Sequence, residues 1–262
     1  MPPGLHSPNH LLASLPAADF ESLRAYLRPI ELVHEALLTE AGKPIQRVYF
    51  PHSGVISLAV NFAGGEMIEV GMVGREGVFG AAAALDGGIS LNNAIVRLPG
   101  AASVLDVARL RKAAEQSVSF RTALIRHELL LFVQAQQSAA CNAVHSVESR
   151  LSRCLLRLRD LSGQDTLLVT QEFLAQMLGV QRNSVSIVAS AFQHAKLIHY
   201  HRGVIEIRDL EGLRASACEC YQAVKNHYDR LLQNGSTSDP GSAVDPAVDR
   251  SAAHPGRQGA AR

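Results

Sequence analysis

Apolar positions along the chain follow two rhythms, and their most informative meeting point is Gly179. Before it, Leu174 and Leu178 repeat at helical spacing, with Phe173 and Met177 widening the stripe; after it, Val185, Val188 and Phe192 do the same. A glycine there can take the left-handed conformation that ends one helix, and Val180 then fills the angle before the next. Ala175 is small where a bulky side chain would hold the two helices apart. This spacing predicts a helix-turn-helix. Further on, Ile198 and Tyr200 alternate with polar residues, Ile205 and Ile207 do likewise, and Arg202-Gly203 makes a tight reversal. That predicts a two-stranded hairpin, and so a winged helix.

Upstream, Leu12, Leu15, Phe20, Leu23 and Leu27 give short helical periodicity over residues 11–30. From Glu31 to Leu98 the grammar changes to short β-type runs over residues 48–50, 55–60, 67–72 and 94–98, divided by turn-rich segments such as Pro51-His52-Ser53-Gly54. Such a series predicts a small antiparallel roll. From Val104 to Leu161 the pattern is helical again, with a helix over 107–115, a long one over 119–144, and a restart at Ser146, a natural N-cap for 147–158. The long helix is apolar on two stripes, Ile125, Leu129, Phe132 and Ala139 on one, Leu130, Val133, Ala140 and Val144 on the other. Two stripes need two partners: the roll, and the same helix of a second copy across a twofold axis. Gln134, Gln136 and Gln137 interrupt them as polar groups that can fix the register of such a seam.

The expected architecture is α+β. It comprises an N-terminal antiparallel β-roll (11–118), a long dimerisation helix (119–145), a C-terminal winged helix-turn-helix (146–233) and a tail (234–262). The tail is rich in Ser, Pro, Gly, Ala and Asp and has no Leu, Ile or aromatic residue, which predicts disorder.

Composition narrows the function. The chain is 47% hydrophobic and carries a net charge of only +1, which excludes a polybasic binder. Between Gln181 and Arg208, however, Arg182, Lys196, Arg202 and Arg208 stand against Glu206 alone, so positive charge gathers where phosphates would lie. No apolar run is long enough to span a bilayer and no signal peptide is evident, so a cytoplasmic location is expected. The four cysteines (Cys141, Cys154, Cys218, Cys220) are spread through helical patterns and suggest neither a disulfide framework nor a zinc site. Cys218-x-Cys220 with His227 is a weak metal or redox candidate, so the expectation is no metal and no cofactor. Nothing has the spacing of a nucleophile and its base, and no enzyme is expected.

If Val185, Val188 and Ala189 face inward, Arg182, Asn183, Ser186, Ile187 and Ser190 face outward. Arg reads guanine bidentately, Asn reads adenine, and Ile can meet a thymine methyl. Gln181 and Ser184 suit phosphate contacts beside the free N–H groups of a helix start. With Thr170 and Gln171 from the first helix and Arg202 from the wing, these form the candidate DNA-binding set. In the roll, the Gly-rich run Gly71 to Gly80 lacks the Gly-Lys-Ser/Thr ending of a nucleotide P-loop. It reads equally well as an anion cradle or as turns of a tight roll.

Val147–Asp160, Leu168–Val188 and the wing, with weaker support from Val48–Leu58 and Gly74–Gly80, make the chain resemble the Crp/Fnr family of bacterial transcription regulators. The resemblance implies a homodimer that places its second helices in successive major grooves of palindromic double-stranded DNA, about 34 Å apart. It also implies RNA polymerase as a further partner. Arg182 matches the family's base-reading arginine; Asn183 and Ile187 depart from it, so a different DNA sequence is expected. In cyclic-nucleotide binders a Gly-Glu opens the phosphate cassette and an Arg-Ser closes it. The matching effector-pocket residues here are Gly80-Ala81 and Asn92-Asn93. Loss of the arginine–phosphate pair and of the glutamate argues against cyclic AMP. No cysteine precedes Cys141, which argues against the family's iron–sulfur type. Haem remains open, with His34, His52 and His127 as candidates. The alternative function is a cyclic-nucleotide or other small-molecule sensing module in which DNA binding is secondary.

Overall fold

A computed structural model describes residues 7–233, so the expected tail lies outside the described residues. Helices α1 (His10–Ala13) and α2 (Ala17–Arg24) are separated by Pro16. The helical rhythm expected through residue 30 stops there, because residues Arg28–Leu32 form strand β1. Its Pro29 lacks a backbone donor, which an edge strand tolerates, and β1 is the edge of the three-stranded sheet β1-β7-β3.

The roll also contains β2 (Leu37–Thr39), β3 (Arg47–Pro51), β4 (Val55–Asn61), β5 (Met67–Val73), α3 (Ala81–Asp86), β6 (Asn93–Leu98) and β7 (Gly100–Asp106). The four expected strands are β3 to β6. Strand β7 falls partly where helix was expected from Val104, and α4 (Val107–Gln116) begins only after it. The second sheet has the order β2-β6-β4-β5, and every pairing in both sheets is antiparallel. Between the sheets lie Leu32, Tyr49, Ile56, Val73, Phe79, Val96 and Val104. The outer side of β3 and β7 packs Val48, Phe50 and Leu105 against Leu12, Leu23, Leu110, Phe120 and Leu124 from the helices. Each fully buried side chain of this size contributes about 1.5–3 kcal/mol relative to exposure.

Helix α5 (Val118–Val144) starts at Ser117, whose hydroxyl accepts from the Phe120 N–H at 3.1 Å. Its inner side is shared. Phe120 and Leu124 enter the roll core, while Leu130 is buried by Val224 and Tyr228 of α10 (Cys220–Gln233). Of the second expected stripe, Leu130 thus meets α10, which corrects the expectation that this stripe faces the roll or a second copy, while Ala140 and Val144 are exposed. Gln134 and Gln137 also turn inward, which corrects their expected place on the seam. Gln134 accepts from the Tyr228 hydroxyl at 3.4 Å, and Gln137 donates to Cys220 Sγ at 3.0 Å. Ile125, Leu129 and Phe132 remain 44–60% exposed in a row with Gln136 and exposed Ala139.

After His145 the chain re-enters helix as α6 (Val147–Ser162), with the Ser146 hydroxyl accepting from the Ser149 N–H as expected of an N-cap. Strand β8 (Thr166–Leu168), α7 (Gln171–Leu178), α8 (Arg182–His194), β9 (Ile198–His201), β10 (Val204–Ile207) and α9 (Leu210–Ser216) follow. The wing sheet has three strands, β8-β10-β9, and not the expected two. Its core is continuous with the roll: Val55, Met72 and Leu98 pack with Leu155, Leu174, Leu178 and Val185.

Candidate nucleic-acid interface

The turn between α7 and α8 is built by the residues that predicted it. Gly179 has φ 60° and ψ 42°, the left-handed region, and the Val180 N–H donates to the Ala175 carbonyl at 3.1 Å. Leu174, Leu178, Val185 and Ala189 are buried, and Val180 and Val188 pack partly against them. With that side of α8 inside, Arg182, Asn183, Ile187 and Ser190 are exposed and Ser184 and Ser186 half-buried. Ile187 is 72% exposed, an apolar side chain held in water by the opposite face of its own helix. No side-chain hydrogen bond from Gln181 caps α8, so its first N–H groups are not taken by that side chain.

Three elements meet at this face. Thr170 caps α7 by accepting from the Phe173 N–H at 3.1 Å, and the Ser186 hydroxyl donates to Gln171 Oε1 at 2.6 Å, tying α8 to the start of α7. The wing tip is a two-residue reversal in which both Arg202 (φ 47°) and Gly203 (φ 79°) are left-handed. A Cβ placed on Gly203 would stand 3.6 Å from Thr170, so the tip lies beside the α7 cap and carries exposed Arg202 with it. Arg182, Lys196 and Arg202 are exposed and enter no ion pair among the described residues, whereas Arg208 pairs with Glu206 at 2.6 Å. All nine candidate DNA-binding residues therefore lie on α7, α8, their caps and the wing tip.

The candidate effector pocket is different. Gly80 is left-handed at φ 94°, and a Cβ there would press on Ile45, Val48 and the Arg47 carbonyl at 3.1–3.2 Å. Ala81 is fully buried, with Ala83 and Ala84 in the same core. Asn93 is spent elsewhere, its side chain accepting from the Ala41 N–H at 2.7 Å, and the Asn92 carbonyl accepts from the Ser90 hydroxyl at 2.6 Å. Earlier glycines of the run are close-approach positions. A Cβ on Gly74 would stand 2.7 Å from Leu161 Cβ, and one on Gly77 only 2.2 Å from the His127 ring. Close packing or backbone conformation accounts for Gly74, Gly77 and Gly80, whereas a Cβ on Gly71 would make only an ordinary contact with Leu58 at 3.6 Å.

The haem candidates are engaged singly and apart. His34 Nδ1 lies 2.9 Å from the Arg97 carbonyl, and His52 Nε2 lies 2.9 Å from Ser103 Oγ. His127 Nε2 accepts from the Val78 N–H at 3.2 Å, and burial pushes this imidazole down to about 4.

Sequence reasoning missed two arrangements. Between roll and winged helix, Arg97 on β6 pairs with Glu35 at 2.8 Å, reaches Gln176 of α7 at 3.4 Å and stacks over Phe173 at 4.9 Å. Near it, burial pushes the Glu69 carboxyl up to about 8. Arg157 of α6 pairs with Glu76 of the roll and stacks over Tyr228. The second arrangement is Cys141, His145, Cys218 and Cys220, whose ligand-type atoms all lie within 4.8 Å of one another. This convergence escaped the sequence reading, which placed the cysteines in helical patterns, whereas Cys218 and Cys220 are not both inside a helix. Cys218 precedes α10, so the two side chains can converge, and their histidine is His145 and not His227. Cys141-x3-His145, one helical turn apart, was the available signal.

Residues 149–216 match the profile of the Crp-like helix-turn-helix domain. No curated protein matches the chain. Among solved structures, the fold is similar to FixK2 from Bradyrhizobium japonicum (TM-score 0.63, 16% identity, 73% of this chain and 98% of that one). It is similar also to a transcriptional regulator of the Crp/Fnr family, TTHA1359, from Thermus thermophilus (TM-score 0.59, 21% identity, 72% and 98%). A Crp/Fnr-family regulator described from Eubacterium rectale aligns at TM-score 0.60 with 16% identity over 78% and 96%. Among the described residues no helix is long and apolar enough to cross a membrane.

Proposed function

We propose that this chain, which has the Crp/Fnr regulator fold and carries a Crp-like helix-turn-helix domain, is a transcription regulator that reads a twofold-symmetric DNA site as a homodimer. The observation that carries the reading is the outer face of α8. It offers Arg182, Asn183, Ser186 and Ile187 to solvent, beside the α7 cap and a wing tip bearing Arg202. Such a face suits the chemistry of a major groove, with Arg for guanine, Asn for adenine and Ile for a thymine methyl. Gln181, Ser184, Thr170, Gln171 and Arg202 would hold phosphates and set the register. The exposed row Ile125, Leu129, Phe132 and Gln136 on α5 would be the dimer seam, because three large apolar side chains at helical spacing are costly to leave in water.

In this reading the signal is not cyclic AMP. Ala81 fills the position of the cassette glutamate with a buried methyl group, and Asn93 is committed to the Ala41 N–H. Purified protein, at a stated salt concentration, is used to select from a random duplex library. Recovery of a palindromic motif with half-sites one helical turn apart is expected; recovery of only non-symmetric or random sequence overturns the homodimeric reading.

A further inference from the structure

We propose that Cys141, His145, Cys218 and Cys220 bind one divalent cation of the zinc type, clamping the last turn of α5 to the corner between α9 and α10. The four donors come from two distant segments. Cys141 lies in the last turn of α5 and His145 is the extended residue that follows the helix, while Cys218 precedes α10 and Cys220 is its first residue. Cys141 Sγ lies 3.5 Å from Cys218 Sγ, and Cys220 Sγ lies 3.6 Å from His145 Nδ1. In a tetrahedron with zinc–sulfur bonds of about 2.3 Å the donors stand about 3.8 Å apart, so the spacing suits a single ion. An iron–sulfur cluster spreads its thiolates over several irons, whereas these four converge on one point. Three sulfurs and an imidazole are a common donor set of closed, structural zinc sites.

The surroundings support metal ligation independently of the donor spacing. His145 turns Nδ1 to the sulfurs while Nε2 lies 3.2 Å from the Glu219 carboxylate, the outer partner that fixes a ligating imidazole's tautomer and orientation. Gln137 donates to Cys220 Sγ at 3.0 Å, and Cys220 opens α10, where the helix's positive end favours a thiolate. Three thiolates on a divalent ion leave one net negative charge. Arg150 and Arg153 of α6 bring positive charge close to Cys141. Arg150 also donates to the Leu178 carbonyl at the end of α7, so the cluster's charge is linked to the helix-turn-helix. On binding, each thiol gives its proton to solvent as its sulfur bonds the ion, with no change of oxidation state.

The reduced full-length protein is titrated with cobalt(II) as a spectroscopic probe. Visible bands of a tetrahedral thiolate site are expected to saturate at one equivalent and to disappear when zinc displaces cobalt. Zinc should also raise the melting temperature. Cys218→Ser with Cys220→Ser should abolish both effects, and Glu219→Gln, at an exposed position, should weaken binding roughly 10–100-fold while leaving the apo fold unchanged. Should the double variant fail to fold, the Glu219→Gln affinity decides. Absence of cobalt bands in the reduced wild type, unchanged affinity in Glu219→Gln, or a Cys141–Cys218 disulfide in a protein that takes no metal once reduced would each overturn the site. None of these readouts depends on DNA.

Discussion

The outer face of α8 and the start of α3 are two candidate binding places of this chain, and its core treats them in opposite ways. On α8 the core takes Val185, Ala189 and Phe192, and the polar side chains opposite are left to water. At the start of α3 the core takes Ala81, Ala83 and Ala84 and wedges Gly80 beside Ile45 and Val48, leaving only Ala82 and Leu85 of the described side chains of α3 exposed. Side chains stay available to a partner where burial on one side of an element leaves the other side unspent, and small residues let neighbouring elements close in on one another.

The largest effect should come from removing the second copy of the α8 face. Leu129→Glu puts a charge in the exposed apolar row of α5. If that row is the seam, light scattering will find monomers, and affinity for a two-half-site duplex will fall by roughly 10²–10⁴-fold as the intramolecular second contact is lost. Dimers that persist would move the interface off this face. Their persistence would also leave the exposed row unexplained.

The second effect tests the closed region. Ala81→Glu restores the residue type that cyclic-nucleotide binders carry, but at a position with no accessible surface. Overpacking and an unpaired carboxylate should together cost about 3 kcal/mol or more. The melting temperature should drop, and cyclic AMP should not recover it. Stabilisation of the variant by the nucleotide would show that the cassette is merely idle.

What could be read from the sequence follows the same division. The helix-turn-helix was legible because its signals are local: Gly179 at a left-handed turn, Ala175 against it, and apolar residues at helical spacing on both sides. The N-cap at Ser146 is equally local. Strands β1, β2, β7 and β8 were missed for a shared reason. Their burial is uneven or their runs short, and their identity as strands comes from partners far along the chain. The inward turn of Gln134 and Gln137 depended on α10, whose packing against α5 no periodicity announces. His145 was invisible as a partner of Cys218 and Cys220 because more than seventy residues separate them. The buried pairs Arg97–Glu35 and Arg157–Glu76 likewise join segments whose approach is set by tertiary packing.

The smallest effect is the most specific to the open face. Arg182 is the first residue of α8, exposed and outside any ion pair among the described residues, with its backbone carbonyl engaged by the Ser186 hydroxyl. Arg182→Ala removes a side chain that contributes nothing to the core, so melting should be unchanged. Binding to the selected motif should weaken by roughly 1–3 kcal/mol, with preference relaxed at one base position per half-site. Lys196 and Arg202 supply the contrast. If they meet only phosphates, changing either to Ala should lower affinity similarly for all sequences and shallow the salt dependence. A uniform loss from Arg182→Ala as well would move Arg182 into the phosphate-holding class. Base choice would then rest on Asn183, Ser186 and Ile187, three exposed or half-buried positions further along the same helix.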